Sequence, residues 1–457
     1  MLSTVLQFFA SLSLLIVLHE FGHFIAARMF GVRVKKFYLF FDFLFPFPNL
    51  ANFSLFKKKV GDTEYGIGWF PFGGYVQMAG IMDESMDEEE LKQPPKPDEF
   101  RSKPAWQRLI ILLGGIIVNL LLAVIIYMGL SWVYGKDTLP NSSLENGYYV
   151  DKYGEALGLQ NGDIVTKVGD KEVEDAMQVR ALLFEDVIDN IEVDRNGERV
   201  VLPVTKQFYI DLFDNQEAKP IILEPALLPV VNELMDGPLK QSGGQVGDQI
   251  LAVDTVEVNF FQEVTRIVKG ETYEPGDTMT MVMLRNGTDT ITLYPVMDES
   301  GLLGFAPKIP YVHEEISFGE ALIEGPRKTW NTLVAYIGQF KLIFDSDIKG
   351  YRHIGGFGTI ASFYSGGFSW ASFWSKTAFI SIILAFMNLL PIPALDGGHA
   401  LFTIYEMIVR RPPPDKFLQY AQTIGMLLLL FLMLYANGMD IIPVSYTHLT
   451  LPTSYAV

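Results

Sequence analysis

The sequence predicts a multi-domain α-helical membrane protein, with four transmembrane helices and a membrane-associated β-hairpin region, plus two water-facing α+β domains. Hydrophobic residues make up 49% of the 457-residue chain, and the mean hydropathy of +0.23 is high for a soluble protein. Acidic residues concentrate between Gly135 and Pro310, where about 31 Asp and Glu face 14 Lys and Arg. A sequence repeat within this acidic block predicts the two α+β domains.

The first transmembrane helix is predicted over residues 1–30 and carries polar residues inside an apolar run. His19, Glu20 and His23 form the pattern HExxH. A helix turns about 100° per residue, so both imidazoles lie on one face and can reach a single metal ion, with Glu20 beside them. Ionisable residues inside a transmembrane segment are costly and usually mark a functional site. A secretory signal is the alternative, but the run lacks a basic amino-terminal stretch and an evident cleavage site.

Residues 31–80 are predicted to form the membrane-associated β region. Phe53–Val60 and Tyr65–Met78 have the composition of strands and are separated by a Gly-Asp turn. An exposed edge in this region would pair with an extended substrate, because strand addition holds an unwound backbone by its own amides. The candidate substrate-contacting residues here are Gly73, Gly74 and Tyr75. The alternative is a hairpin that only covers the cytoplasmic face.

Two segments lead to the middle of the chain. Residues 81–104 are acidic and contain prolines, which indicates a flexible cytoplasmic connector. Residues 105–134 form the second predicted transmembrane helix, and its small and polar residues suit close helix contacts.

The middle block contains the repeat. Gly162-Asp163 recurs as Gly247-Asp248, an offset of 85 residues, and each copy continues with two β-rich segments and a helical stretch. This spacing is too long for a solenoid and indicates two copies of one domain, over residues 140–220 and 221–308. Both resemble PDZ domains, which bind extended peptides by adding a strand beside a helix. A purely structural pair that binds nothing is the alternative.

Helical segments make up the rest of the chain. We expect an amphipathic surface helix over residues 312–350, the third transmembrane helix over 371–400 and the fourth over 417–442. Residues 444–457 look foreign, because codons resembling a sequencing-library adapter can encode VSYTHLTLPT. We expect this segment to be a non-native tail.

The second part of the candidate site lies in the run NLLPIPALDGGH, residues 388–399. Zinc held by His19 and His23 needs a third protein ligand, and Asp396 would supply an oxygen. Asn388 would hold the substrate backbone or the developing oxyanion, or alternatively form an interhelical hydrogen bond. We expect His399 to be a packing histidine rather than a fourth ligand.

These residues predict a hydrolytic mechanism. Zinc would lower the pKa of a water molecule, and Glu20 would take its proton. The resulting hydroxide would attack the scissile carbonyl, and Glu20 would return the proton to the leaving amine.

Charge and composition indicate the topology and exclude some functions. Basic residues flank the loop after the first helix and the loop before the last one, so both loops should be cytoplasmic and the acidic domains extracytoplasmic. The chain has no cysteine, which excludes disulfides and thiolate metal sites. Its net charge of -18 argues against nucleic-acid binding.

At this point a family resemblance is clear. HEFGH, GGYVQM at Gly73–Met78, KPAWQR at Lys103–Arg108, the PDZ-like pair and NLLPIPALDGGH resemble the site-2 protease family of intramembrane zinc metalloproteases, in its bacterial sigma-E regulator type with tandem PDZ domains. The resemblance implies a multi-pass zinc endopeptidase of the bacterial inner membrane, a monomer embedded in the lipid bilayer. Its substrates would be single-pass transmembrane proteins, either anti-sigma factors or remnant signal peptides, that another protease has already shortened.

The resemblance also implies roles for individual residues and for the PDZ-like pair. The ligands would be His19, His23 and Asp396, the general base Glu20, and the substrate-contacting asparagine Asn388. The PDZ-like pair would screen substrates by size. The family often has Pro where Gly115 and Gly356 stand, and we expect this departure to affect local helix packing but not the chemistry.

Three other functions are consistent with parts of the sequence. One is a membrane metalloprotease with a glutamate as third ligand, against which the LDG setting of Asp396 argues. Another is an inactive membrane scaffold that presents PDZ domains, which would not require Glu20. The third is a zinc permease, which metal uptake into vesicles would reveal.

Overall fold

The computed structural model describes residues 2–44, 51–71, 73–81, 94–214, 222–269, 273–299, 301–365 and 367–441. The chain forms two compact units. Among the described residues, the first unit, here called the helical unit, comprises those up to Gly135, Glu315–Tyr336 and those from Ile354 to Ile441; the second, the α+β unit, comprises those of Lys136–Glu314 and Ile337–His353. The expected non-native tail lies outside the described residues, as do residues 82–93 of the acidic connector.

The helices and strands alternate irregularly along the chain. The helices are α1 (Leu2–Met29), α2 (Ala105–Tyr134), α3 (Lys152–Ala156), α4 (Val179–Leu183), α5 (Lys206–Asp214), α6 (Pro238–Gln241), α7 (Phe261–Lys269), α8 (Phe318–Phe344), α9 (Phe357–Ser362), α10 (Trp370–Leu389), α11 (Asp396–Val409) and α12 (Asp415–Ile441). The strands are β1 (Val34–Leu39), β2 (Ser54–Val60), β3 (Thr63–Gly68), β4 (Tyr75–Met78), β5 (Lys136–Thr138), β6 (Tyr148–Val150), β7 (Ile164–Val168), β8 (Lys171–Glu172), β9 (Asn190–Arg195), β10 (Glu198–Pro203), β11 (Leu223–Pro225), β12 (Glu233–Leu234), β13 (Gln249–Val253), β14 (Val256–Glu257), β15 (Met281–Arg285), β16 (Asp289–Leu293), β17 (Phe305–Ala306) and β18 (Val312–Glu314).

Four helices in the described part of the chain are long and apolar enough to cross a membrane: α1, α2, α10 and α12. This confirms the prediction of four candidate membrane spans. The third span is shorter than the expected 371–400, because α10 ends at Leu389 and Asp396 begins the separate helix α11. Pro391 and Pro393 stand between them, and proline removes a backbone donor and disrupts a helix interior.

Helix α2 is the central helix of the helical unit, since α1, α10 and α11 all pack against it. It crosses α1 at glycines, with the two backbones in direct contact. A Cβ added at Gly22 would lie 2.2 Å from the carbonyl oxygen of Gly114, and one added at Gly114 would lie 2.5 Å from that of Gly22. Small residues permit this close approach of membrane helices.

A four-stranded sheet in the order β2-β3-β1-β4 follows α1 in the chain. The hairpin β2–β3 turns at Gly61, whose φ of 61° suits glycine. The prediction of one strand segment over Tyr65–Met78 was wrong, because the chain forms two strands there, β3 and β4. These strands lie on opposite sides of β1. Pro71 separates them and cannot donate to a ladder. Strand β4 is therefore an edge strand of this sheet.

The α+β unit contains two domains with the same sheet topology. Their four-stranded sheets run β10-β9-β7-β8 and β16-β15-β13-β14. The pairing of β7 with β9 has a bulge between Val165 and Lys167, and that of β13 with β15 has one between Ile250 and Ala252, again 85 positions later. Each domain has its own apolar core. The sequence repeat thus corresponds to a structural repeat, while the PDZ character of the domains stays a prediction.

An ion pair recurs in both copies. Asp163 accepts from Nε and Nη2 of Arg195 at 2.7 and 2.8 Å, and the same guanidinium reaches the carbonyl of Gly158. Asp248 accepts from Nε and Nη2 of Arg285 at 2.8 and 2.7 Å. Bidentate pairs of this kind hold their two segments in one orientation. Each pair therefore holds the Gly-Asp turn against the third strand of its sheet.

The connections at the ends of the α+β unit are well defined. Strand β5 pairs antiparallel with β18, so the chain enters and leaves the tandem domains through one two-stranded ribbon. The expected surface helix over 312–350 is shorter than predicted, because its first residues form β18 and helix α8 begins after Ser317. Ser317 and Glu320 form a capping box, in which each side chain bonds the other residue's backbone N–H.

The Asp248–Arg285 pair predicts a stability defect. Asp248 has 1% of its side chain exposed, so Asp248→Asn should lower the thermal midpoint of the second α+β domain by roughly 5 °C. Hydrogen exchange of the detergent-solubilised chain over a temperature series would measure it. Asp236→Asn is the matched control, because Asp236 pairs with Lys240 at a fully accessible position. Equal midpoints for the two variants would contradict the prediction.

The pH dependence of this effect has a defined sign. The hydrogen-bonded guanidinium of Arg285 holds the pKa of the Asp248 carboxyl below its ordinary value. The stabilisation is therefore fully present above about pH 4 and is lost as the pH falls through the lowered pKa. The difference in midpoint between wild type and Asp248→Asn should shrink below about pH 4.

Candidate metal centre

The two histidines of α1 turn one nitrogen each toward a common point. His19 and His23 are one helical turn apart, and their Nε2 atoms lie 3.2 Å from each other. Neutral imidazoles whose nitrogens lie this close together are typical of a metal site.

Asp396 completes a triangle with the two histidines. Its Oδ2 atom lies 3.1 Å from His19 Nε2 and 3.3 Å from His23 Nε2. Two ligand atoms held at about 2.0–2.1 Å from a tetrahedral zinc ion lie roughly 3.3 Å apart. The three donor atoms therefore have the spacing that one zinc ion requires.

The carboxylate of Asp396 supports this fit. Its Oδ2 is buried and, despite the two short distances, is not aligned for a hydrogen bond with any described residue. A buried carboxylate oxygen without a hydrogen bond is costly unless a cation binds it. His19, His23 and Asp396 are also the described residues whose ligand atoms converge within metal-binding distance.

The chain reverses sharply to bring Asp396 to α1. A Cβ at Gly397 would lie 2.3 Å from the carbonyl oxygen of Leu389, and one at Gly398 would lie 2.4 Å from that of Ile392. The glycines of the DGG run are therefore required for the start of α11 to pack against the end of α10. This packing places Asp396 near residues 373 positions earlier in the chain.

Helix α2 contacts the far side of both imidazoles. His23 Nδ1 lies 2.8 Å from the carbonyl oxygen of Ile111, and His19 Nδ1 lies 3.2 Å from the side-chain amide of Asn119. Each ring is thus held between the common point on one side and α2 on the other.

Glu20 lies beside the start of β4. A Cβ added at Gly74, the residue before β4, would lie 3.4 Å from Glu20 Cγ. The start of strand β4 therefore lies beside the Glu20 side chain. Glu20 neighbours the triangle, because it precedes His23 and follows His19 in the same helix.

The candidate substrate-contacting residues lie around this strand and the end of α10. Asn388 Nδ2 is 3.4 Å from His19 Nε2. Gly73 packs against the ring of Phe41. Tyr75 is only 6% exposed, and its hydroxyl donates to Asp42 at 2.9 Å. The side chain of Tyr75 is therefore part of the sheet interior, and its backbone is what it presents at the edge.

His399 lies outside the triangle. It follows Asp396 by one turn of α11 and is not among the described residues whose ligand atoms converge. Its expected role as a packing histidine stays a prediction.

Gly115 lies at the site, which the sequence reasoning did not foresee. A Cβ at this position would lie 2.6 Å from both His19 Cε1 and His23 Nε2. Gly115 thus lies against both candidate ligands, while the expectation that its departure from the family pattern leaves the chemistry unchanged stays a prediction. Gly356 does concern packing: its N–H donates to Asp440 at 3.0 Å. The polar Asn119, alone in an apolar stretch of α2, was the signal that could have pointed to this helix.

Comparison with known proteins places the chain among metallopeptidases. Residues 7–432 match the model of peptidase family M50. A protein named as a candidate zinc metalloprotease in Neisseria meningitidis is 27% identical over 464 residues, covering 96% of this chain and 98% of its own. A protein of the same description in Vibrio cholerae is 28% identical, covering 92% and 94%. The regulator of sigma E protease of Haemophilus influenzae is 26% identical, covering 94% and 96%.

The position of Gly115 predicts a metal-binding defect. In Gly115→Ala the added methyl group would displace both imidazoles, so we expect the affinity for zinc to fall at least tenfold, measured by chelator competition on the purified protein. Gly129→Ala on the same helix is the matched control, because a Cβ there meets no atom within 4 Å. Zinc affinity equal in the two variants would show that the contact with the imidazoles does not matter.

Proposed function

The chain belongs to peptidase family M50 and is a zinc metalloprotease, and from this premise we propose that it is an intramembrane endopeptidase with its metal centre at the described triangle. In this proposal His19, His23 and Asp396 hold the zinc ion and Glu20 is the general base. The observation that carries it is the set of three distances, 3.1, 3.2 and 3.3 Å, between donor atoms from opposite ends of the chain. A scaffold without catalytic function would have no need of this spacing.

The depth of the site supports cleavage within the bilayer. His19 lies ten residues before Met29, the end of a candidate span. At 1.5 Å per residue this is roughly 15 Å along the helix axis. Water and an unwound substrate would therefore have to enter a region with few other polar groups.

The residues at the site have distinct tasks. Zinc bound there would supply the Lewis acidity that makes water nucleophilic at neutral pH and polarises the scissile carbonyl. The Glu20 carboxylate accepts the proton of the attacking water and delivers it to the leaving amine. Asn388, with its amide 3.4 Å from His19 Nε2, donates to the substrate carbonyl as negative charge develops on its oxygen.

Strand β4 would bind the substrate backbone. It is an edge strand and lies beside Glu20, so an extended peptide added to it would have its backbone next to the general base. Main-chain hydrogen bonds to such an edge give affinity without requiring a particular side chain. Gly73 and Gly74, which lack side chains, let the chain just before β4 pack closely against Phe41 and Ile16, and Tyr75 contributes its backbone.

The proposed substrates are single-pass transmembrane proteins, either anti-sigma factors or remnant signal peptides. The relatives named regulators of sigma E protease support this class. The proposed location is the bacterial inner membrane, with the two repeated domains on the extracytoplasmic side as PDZ-like modules that screen substrates by size. Basic residues in the predicted cytoplasmic loops and the acidity of the repeated domains support this orientation.

The role of Glu20 can be tested by one substitution. Glu20→Gln should keep one zinc ion per chain and reduce cleavage of a model single-span substrate by about a hundredfold or more, because the amide cannot accept the proton. Metal content by mass spectrometry and cleavage in proteoliposomes would measure the two effects. Cleavage at the wild-type rate would refute the assignment of the base.

The ligand set has a separate test. Asp396→Ala should lose zinc, because the triangle then has two donors left. His399→Gln is the matched control: it changes a half-buried histidine one turn away that lies outside the triangle, so zinc should stay bound. If Asp396→Ala retained full zinc, the proposed centre would be wrong.

A further inference from the structure

In the proposed centre His19 needs a hydrogen-bond acceptor for its second ring nitrogen, and the ligand triangle does not supply one. A neutral imidazole that binds a metal through Nε2 carries its proton on Nδ1. His19 turns Nε2 toward Asp396 and His23, so its Nδ1–H points away from the triangle, toward α2. A buried N–H that finds no acceptor costs free energy and leaves the ring free to rotate.

The group that meets His19 Nδ1 is the side chain of Asn119. Its amide lies 3.2 Å away, and the residue is 0% exposed. The Oδ1 atom of Asn119 is buried and has no hydrogen-bond partner among the described residues. The two ends of an amide are assigned by the hydrogen bonds around them. Opposite an Nδ1–H, the end that faces His19 must be the oxygen.

We propose that Asn119 is a positioning residue of the metal centre, whose Oδ1 accepts the Nδ1–H of His19 and thereby fixes the tautomer and orientation of that ligand. The inference rests on the proposed ligand role of His19. Hydrogen bonds of this kind commonly raise the basicity of a metal-bound histidine and increase metal affinity.

The placement of Asn119 on α2 makes the same helix serve both histidines. Ile111, Gly115 and Asn119 follow one another at four-residue spacing and share one face. The Ile111 carbonyl accepts from His23 Nδ1 at 2.8 Å, and Gly115 leaves room for both rings. The side chain of Asn119 therefore accepts a hydrogen bond from His19, as the main chain of Ile111 does from His23.

Asn119 is itself held in place by α10. The hydroxyl of Ser381 donates to the main-chain carbonyl oxygen of Asn119 at 2.8 Å, and Ser381 is also buried. This bond gives Asn119 an alternative role in helix packing that does not involve the imidazole. The two roles make different predictions for substitutions at positions 119 and 381.

The experiment measures zinc affinity of the detergent-purified full chain by chelator competition. Asn119→Leu removes the acceptor at similar volume and should lower zinc affinity about 10–100-fold. Asn119→Asp keeps an acceptor and cannot donate, so its zinc affinity should stay within threefold of wild type or exceed it. Ser381→Ala removes the packing hydrogen bond only and should leave zinc affinity within threefold of wild type.

A spectroscopic readout accompanies the affinities. In the cobalt-substituted protein, Asn119→Leu should change the visible absorption of the bound Co²⁺, whereas Ser381→Ala should not, because only the former alters the orientation of a ligand. If Asn119→Leu does not fold, the comparison of Asn119→Asp with wild type still decides the direction of the hydrogen bond.

Three results would overturn the proposal. A tenfold or larger loss in Asn119→Asp would mean that Asn119 donates to His19 and would overturn the proposal, as would unchanged affinity in Asn119→Leu or an equal loss in Ser381→Ala. His19→Ala separates the two levels. If it loses zinc while Asn119→Leu does not, the inference alone is wrong; if it keeps zinc, the proposed ligand set is wrong.

Discussion

The contact between the backbones of α1 and α2 is the constraint on which the proposed metal centre depends. Gly22 and Gly114 touch without intervening side chains, and one residue further along α2, Gly115 lies against His19 and His23. Any larger side chain at this crossing would separate the helices by several tenths of an ångström or more, because interiors at this density do not absorb added atoms. The crossing therefore sets where the imidazoles lie and which groups of α2 can reach their Nδ1 atoms.

The proposed metal centre combines groups that would each be unfavourable alone in a membrane. A buried carboxylate and two imidazoles within a candidate span carry a desolvation cost that only mutual interaction or a bound cation offsets. Asp396 comes from a helix start that two prolines and two glycines shape, so its position depends on the chain reversal after α10 and not on α1. The two parts of the site are built independently and meet through α2, against which both pack.

Equivalent residues of the two tandem domains do not all recur at the same sequence offset. The Gly-Asp turns recur at an offset of 85 residues, and the β-bulges recur at the same offset. Their arginine partners, Arg195 and Arg285, recur at an offset of 90, because the segment between the turn and the third strand is longer in the second copy. The ion pair is equivalent in space but not in sequence spacing, so a search at one fixed offset passes over it.

The sequence by itself determined the four candidate spans, the repeat and the presence of an HExxH pattern and an LDG run, because apolar length, turn residues and helical spacing are local properties. It did not determine where Tyr65–Met78 divides, since strand pairing depends on which neighbours a strand finds. Nor did it reveal that Gly115 and Asn119 face the histidines, because the rotation of α2 about its axis follows from its packing against α1, α10 and α11. Only the tertiary structure decided that Asp396 reaches His19 and His23, because that distance depends on helix crossings and a chain reversal that no local pattern encodes.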